Sequence, residues 1–296
     1  MLQANSPEFS RNLGFFSEEE QQYLNESAVA IAGAGGDGGM LAVQLARLGV
    51  GELRLADPDP FDAENINRQA CCTTETLGVN KAQAVGDYIK AINPNIKVVV
   101  EPRGIQPETI DEFMDAADLL IDETEFTMHA LGVALARKAR ELNTPNLMVM
   151  NIGFGATATT FHPQGETFEQ MLGISEDMPL SEVAEQEIGL DRWLPYLAPY
   201  IDLDMFAKVA TGEKSAPSVA PGVALAASVG AVQATLNLLD KIDNNRPFPV
   251  YFSGVIAMDA YTRESRAIDN PLASHQEYLQ QIIVANEAGK VPKVSY

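Results

Sequence analysis

The sequence predicts an α/β fold: a mainly parallel sheet with helices on both faces, extended by antiparallel strands and a helical crossover segment. Three observations carry this. Short apolar runs alternate with helical patterns through the first half of the chain, as parallel strands covered on both faces require. A glycine-rich turn, "GAGGDG", joins the run at Ala28 to the helical pattern that follows it. The second half then changes character, with an alternating strand, broken short helices, one long apolar helix and two closing strands.

The elements follow in order. "AVAIAG" (Ala28 to Gly33) is a short apolar strand ending in glycine, and a helical pattern runs from Gly38 to Leu48. "ELRLAD" is the second strand, "KAQAVGDYIKAI" (Lys81 to Ile92) a helix and "IKVVVEP" the third strand. "PETIDEFMDAA" reads as a helix, "DLLID" as a fourth strand, "TMHALGVALARKAREL" as a helix and "NLMVMNIG" as a fifth strand. "GATATTFHP" (Gly155 to Pro163) alternates like a half-exposed antiparallel strand. Glu166 to Lys214 carries three or so short helical patterns, interrupted around Trp193 by Pro195 and Pro199. "SVAPGVALAASVGAVQATLNLLDKI" is a long, nearly all-apolar helix, the kind buried in a core or a subunit interface. "PFPVYFSGVIAMDAYTRESRAI" closes with two strands. With no internal repeat or linker, the expectation is one domain over 1–296: a nucleotide-binding half (1–163), a helical crossover segment (164–217), then the long helix and closing strands (218–296).

Composition excludes several classes. At 296 residues the chain can bury a sizeable core, and 46% hydrophobic against 21% charged residues is the balance of a folded globular protein. Its 41 acids against 20 bases give a net charge of −21, which repels phosphate backbones and anionic lipid, so neither nucleic acid nor membrane is expected as a partner. That charge reads as solubility, a basic partner or life at high salt. The two cysteines, Cys71 and Cys72, are adjacent, so they make neither a disulfide framework nor a four-ligand zinc site. His129, His162 and His275 are scattered. The N-terminus lacks a cationic start followed by an apolar run, and no run of about 18 apolar residues stands out as a membrane span. A cytoplasmic location is the expectation.

The glycine turn carries the first functional signal. Gly33, Gly35 and Gly38 make G-x-G-x-x-G, with Gly36 between them, after a strand and at the start of a helix. Such glycines let phosphate approach backbone N–H groups at a helix N-terminus. Asp57 lies nineteen residues after Gly38, at the end of the second strand, where a carboxylate accepts hydrogen bonds from ribose hydroxyls. Together these features predict a Rossmann-like nucleotide site. Asp37 is the odd element, since a carboxylate beside a phosphate cradle is unfavourable unless it points away, helps hold a cation, or meets the helix dipole.

A second signal lies in "NINRQ", where Arg68 stands eleven residues past Asp57. "AGAGGDGG", "LADPDPFDAENINRQ", the lysine of "LGVNKAQAV", "INPNI" and "DLLIDETE" occur in the order and spacing of the ThiF/MoeB-type adenylyltransferases, relatives of the ubiquitin-activating enzymes. The sequence resembles that family from about Phe9 to Pro163, and more loosely from Ser218 to Leu239. The resemblance implies an enzyme that uses ATP and Mg²⁺ to adenylate a carboxylate and releases pyrophosphate. That carboxylate would be the C-terminus of a small protein or peptide, or a small-molecule acid. Joining carboxylate to α-phosphate brings two anions together, and fixed cations must offset the repulsion. In the resembled family the residues matching Arg68 and Lys81 hold the phosphates. Asn65 sits in the same loop, Asp57 matches the ribose-binding acid, and Asp59 and Gln69 belong to the same nucleotide-binding motifs. "FSRN" resembles a family motif whose arginine, here Arg11, reaches the ATP of the other subunit of a homodimer. A solvated N-terminal base is the other reading of Arg11, and the two weigh equally on the sequence.

The sequence also departs from the family. The family's magnesium-ligating aspartate and the asparagine after it are here Glu125 and Phe126, within "DETEF". Glutamate still offers hard carboxylate oxygen on a longer arm, and Asp122 becomes a second candidate ligand. The family's paired zinc cysteines are absent, so no zinc is expected, and the crossover segment has no cysteine for a thioester or persulfide step. Cys71 and Cys72 read as a buried structural pair, nucleophilic work requiring a nearby cation such as Arg68. Trp193, Tyr196 and Tyr200 offer apolar surface with polar tips to a substrate pocket. Two other readings compete: a nucleotide-binding pseudoenzyme acting as a scaffold subunit, favoured by Glu125 and Phe126, and an NAD-dependent oxidoreductase, which leaves "NINRQ" and Lys81 unexplained.

Overall fold

The computed structural model describes residues 6–194, 196–210, 212–243 and 245–269. Pro195, His275 and the part of the last segment beyond residue 269 lie outside these described residues. A 3₁₀ turn at Pro7–Phe9 precedes α1 (Glu18–Glu26), β1 (Ala28–Ala32), α2 (Gly36–Leu48) and β2 (Glu52–Ala56). A second 3₁₀ turn (Ala63–Asn65) leads to α3 (Lys81–Ile92), β3 (Lys97–Glu101), α4 (Ile110–Met114), β4 (Leu119–Asp122), α5 (His129–Glu141) and β5 (Asn146–Ile152). Next come β6 (Gly155–Phe161), four short helices α6 (Phe168–Leu172), α7 (Leu180–Val183), α8 (Leu190–Trp193) and α9 (Leu203–Ala210), and the long α10 (Ala220–Leu239). β7 (Gly254–Asp259) and β8 (Glu264–Asp269) complete the described elements.

All eight strands form one sheet in the order β3-β2-β1-β4-β5-β6-β7-β8. The β3-β2-β1-β4-β5 pairings are parallel, and β6, β7 and β8 are added antiparallel. The chain moves outward from β1 to β3, then crosses to the other side of β1 for β4. That reversal opens a crevice at the carboxyl ends of the strands, the place where open α/β sheets take their ligands.

Side-chain alternation along β1 sorts the two faces. Val29 and Ile31 join Leu53, Leu55, Ile121 and the residues of α2, α3 and α10 in one large cluster. Ala30 and Ala32 point the other way, to Phe113, Met114 and Leu135 under α4 and α5. A third cluster packs Phe161, Phe168, Trp193 and Phe252 under the short helices.

Three expectations change here. β6 is buried at every position rather than half-exposed, because Ala156 and Ala158 lie under α10 while Phe161 faces α6 and α8. Its alternation is one of side-chain size and polarity between two covered faces. The helix expected over Pro107 to Ala117 shortens to Ile110–Met114: Thr109 Oγ1 holds a turn by accepting the Gln106 N–H, and Ala116 ends the segment at φ +52°. α10 is also long and apolar enough to cross a membrane, contrary to the expectation that no such run exists. Its apolar window is 72% buried, against α2, β5 and β6, as a core helix is.

Candidate functional site

The crevice is built from the turns that leave β1, β2, β4 and β5. Gly33 leaves β1 at φ +104°, and a Cβ there would stand 2.3 Å from the Glu123 carbonyl oxygen. At Gly38 a Cβ would lie 2.1 Å from the Gly33 carbonyl, so the turn closes on itself and only glycine fits. Gly35 caps α2 without a side chain, which leaves the first N–H groups of that 13-residue helix directed at the crevice. Gly36 faces Val223 of α10 and the stem of Arg68.

Asp57 pins this turn. Its Oδ2 accepts the Ala34 N–H at 2.8 Å and its Oδ1 the Asp59 N–H at 2.9 Å. Burial raises its pKa, although those two bonds and Lys81 pull against the rise. Lys81, the first residue of α3, donates from Nζ to the exposed Asp59 carboxylate at 3.0 Å. Its position is set by Asn80, whose Nδ2 donates to the Asp57 and Pro102 carbonyls while its Oδ1 caps α3.

The "NINRQ" loop closes the near side. Asn65 is buried and accepts the Asp62 N–H through Oδ1 at 3.0 Å, so it shapes the loop. Half-buried Arg68 donates from one terminal nitrogen to the Glu64 carbonyl (3.2 Å) and to Asn67 Oδ1 (3.0 Å). Gln69 is buried beside Gly35, and its Oε1 has no partner. Arg68 and Lys81 both act electrostatically on the Cys72 thiol, placing the two cations around one spot. Burial nevertheless raises Cys72, and it pushes Cys71 up to about 11, so both sit in the core as neutral thiols.

Asp37 differs from its sequence reading. It neither points away nor rests on the helix dipole alone: it is buried, and its Oδ2 accepts from the Asn151 N–H (3.0 Å) and side-chain Nδ2 (2.7 Å) at the end of β5. Oδ1 has no partner, and burial raises the pKa to about 6 against the pull of Asn151 and Arg68. Glu123 after β4 also has an unpartnered buried oxygen, and burial, then the charges of Asp37 and Asp122, push its pKa well up. Asp122 is buried and accepts from the Thr124 N–H and hydroxyl, with burial raising its pKa as well. Glu125 is exposed on the following turn, and Phe126 packs into the cluster around Val133 and Phe168. Among the described residues no three acidic, histidine or cysteine side chains group closely enough to hold a metal by themselves.

The remaining candidates lie elsewhere. Arg11 is exposed and forms no ion pair among the described residues. Trp193 and Tyr196 do not line a pocket: Trp193 packs edge-on against Phe168, and buried Tyr196 donates to Asp259 Oδ2 at 3.0 Å. Tyr200 also donates to Asp259 and accepts the Phe154 N–H, fixing the β5–β6 turn. Sequence reading thus assembled Asp57, Arg68, Gln69 and Lys81 around the glycine turn. It missed Asn80, Asn151, Ser218 and Glu123, whose polar side chains carry no spacing signal.

Comparison with known proteins fits this geometry. The ThiF family profile matches residues 9–275. The tRNA threonylcarbamoyladenosine dehydratase of Bacillus subtilis (strain 168) is 34% identical over 134 residues, 44% of this chain and 53% of that protein. The sulfur carrier protein ThiS adenylyltransferase of Escherichia coli (strain K12) is 33% identical over 146 residues, 49% of this chain and 57% of that protein. The chain thus spans little more than half the length of these two curated relatives. Among solved structures, E. coli MccB with ATP superposes with a TM-score of 0.67 at 18% identity, over 90% of this chain and 72% of that one. Selenomethionine PaaA gives a TM-score of 0.61 at 21% identity, over 84% and 66%. At such identities these structures share the fold.

Proposed function

Because the chain belongs to the ThiF family, we propose that it is an ATP-dependent adenylyltransferase that activates a carboxylate as its acyl-adenylate and releases pyrophosphate. The observation that carries this reading is the pairing of Arg68 and Lys81 with the α2 N-terminus, above a turn anchored by Asp57. A hydride-transfer site has no triphosphate to neutralise, whereas carboxylate attack on an α-phosphate needs fixed positive charge where negative charge builds up. ATP suits the residues present: free backbone N–H groups for phosphate, and the orphaned Gln69 Oε1 for an N–H or O–H of the nucleoside. Lys81 would exchange its Asp59 partner for phosphate oxygen.

Magnesium fits as an ion carried by the triphosphate. Such ions keep several waters and take only one or two protein carboxylates, here Glu125 with Asp122 behind it. The attacking oxygen belongs to the substrate, so no protein base is required. Arg11, exposed near the N-terminus, would serve the ATP of a second copy in a homodimer. For the substrate we favour the free C-terminus of a peptide or small protein, or a small acid. The names of relatives point both to a sulfur carrier protein and to a tRNA, and a chain of net charge −21 repels a tRNA backbone.

The exposed Glu125 and the packing of Phe126 favour a second reading, a nucleotide-binding subunit without turnover. ATP–pyrophosphate exchange across a panel of C-terminal peptides and small carboxylic acids separates the two. Exchange with a subset of acids supports adenylation. Tight ATP binding with no exchange supports the scaffold, and preference for NAD over ATP overturns both.

A further inference from the structure

Arg68 is tied to Asp37 by four hydrogen bonds that run through Asn67, Ser218 and Asn151. The Arg68 guanidinium donates to Asn67 Oδ1 at 3.0 Å, and Asn67 Nδ2 donates to the Ser218 carbonyl at 3.0 Å. The Ser218 hydroxyl donates to Asn151 Oδ1 at 2.7 Å, and Asn151 Nδ2 donates to Asp37 Oδ2 at 2.7 Å. Every donor points the same way, and within each half, Arg68 to the Ser218 carbonyl and the Ser218 hydroxyl to Asp37, one bond polarises the next; the two halves are joined by the covalent frame of Ser218. Each amide has a single orientation that satisfies the chain, because its oxygen must accept from one side and its nitrogen donate to the other.

The five residues come from four separate pieces of the fold: α2, the end of β5, the residue that leads into α10, and the "NINRQ" loop. We infer that Asp37, Asn151, Ser218 and Asn67 are positioning residues that hold Arg68 at the angle its phosphate contact needs, and that couple this angle to the seating of α10 and the end of the crossover segment. The inference rests on the adenylation reading of the site, since it takes Arg68 to be the phosphate clamp.

Two further observations support it. Asp37 occupies the second position of α2, beside the phosphate cradle, where a carboxylate otherwise opposes an anionic ligand. Its burial is costly: Oδ1 has no partner, and Arg68 is the cation that acts in its favour. A group held at such a cost, in a motif that tolerates many residues, is expected where function uses it. The relay also removes freedom from a long side chain before the ligand arrives, which is how preorganisation gains affinity.

The test is calorimetric titration of the full chain with Mg-ATP and, separately, with adenosine. The variants are Asn67→Ala, Ser218→Ala, their combination and Ser218→Thr, which keeps the hydroxyl; Asn67 is exposed and Ser218 half-exposed, so the fold tolerates them. Each alanine variant should weaken ATP on the order of tenfold, the worth of one hydrogen bond in a charged chain. Ser218→Ala keeps the carbonyl that Asn67 uses and loses only the hydroxyl bond to Asn151. The links thus act in mechanical series through the backbone of residue 218, and the double variant should also lose about tenfold rather than about a hundredfold. Ser218→Thr should stay near wild type, and adenosine, which lacks phosphate, should bind all variants alike. Additive losses, or equal losses for adenosine, overturn the relay. Wild-type protein that binds no ATP overturns both the relay and the adenylation reading. Wild-type protein that binds ATP without pyrophosphate exchange removes adenylation only, and the relay stands or falls on the variants.

Discussion

Replacing Gly38 with alanine should disable nucleotide binding and lower the melting temperature together. The added Cβ would stand 2.1 Å from the Gly33 carbonyl oxygen and 3.2 Å from Glu123 Cβ, whereas real Cβ contacts essentially never fall below 3.0 Å. Something must therefore move by about 1 Å, the scale of an overpacked core substitution. The obstacle is backbone, and that backbone is tied on both sides: the Gly33 N–H donates to the Ala56 carbonyl at 2.8 Å, and Asp57 holds the Ala34 N–H. An overpacking cost of about 3 kcal/mol follows, at the upper end of the usual range. At roughly 2–4 °C per kcal/mol for a chain of this size, the melting temperature should fall by about 6–12 °C. The phosphate-facing N–H groups move with the turn, and the loss of two such bonds should weaken ATP on the order of a hundredfold. Differential scanning calorimetry and ATP titration measure both quantities. Gly36→Ala is the control: its Cβ would meet the end of the Val223 side chain at 3.3 Å, which can yield, so it should melt within about 2 °C of wild type. A Gly38→Ala protein that melts with the wild type and keeps its ATP affinity would refute the reasoning.

Three other outcomes are expected. Arg68→Ala should weaken ATP by about 2–3 kcal/mol, roughly 30- to 150-fold, since a half-exposed guanidinium makes charge-assisted rather than fully desolvated bonds; adenosine titration should show no change. Glu169→Ala should destabilise the fold by roughly 2–4 kcal/mol in urea, because it strands Arg137 and Arg140, both about a quarter exposed, around the site of a fully buried carboxylate. Burial alone would raise the Glu169 pKa, but the bonds from Arg140 and Arg137 outweigh it and leave it low. The pair's stabilisation is therefore present above the ordinary glutamate pKa and lost as pH falls through the folded value, so the gap between wild type and Glu169→Ala should close in acid. Asp37→Asn should have the opposite pH signature. With a folded pKa of about 6, above the ordinary value, the native state binds the extra proton, so stability falls as pH rises through the window between about 4 and 6. The variant should thus be more stable than wild type by on the order of 2 kcal/mol at pH 7.5, with the advantage gone by pH 4; an equal difference at both would discard the buried-charge account.

Much of the fold was legible because it rests on local patterns. The all-apolar β1 run, the helical spacing from Lys81 to Ile92 and the turn of Gly33 to Gly38 each state their structure within a few residues. The strand "GATATTFHP" misled because alternation of threonine with alanine looks the same whether the polar face meets water or another layer. Whether β6 is covered depends on α10 and the crossover helices, which arrive far along the chain.

The candidate site divides in the same way. Asp57, Arg68, Gln69 and Lys81 were readable because they stand at set distances from one glycine turn, and a turn, a strand and a helix start carry them to one crevice. Tertiary structure alone decided that Trp193 and Tyr196 belong to the core, that Glu125 is exposed, and that Asp37 is bound to Asn151 rather than merely starting a helix. Asp37 and Asn151 lie 114 residues apart, and Ser218 is 67 beyond Asn151. A hydrogen bond has no sequence period, so only the folding of α2, β5 and α10 onto one end of the sheet could bring these partners within 3 Å.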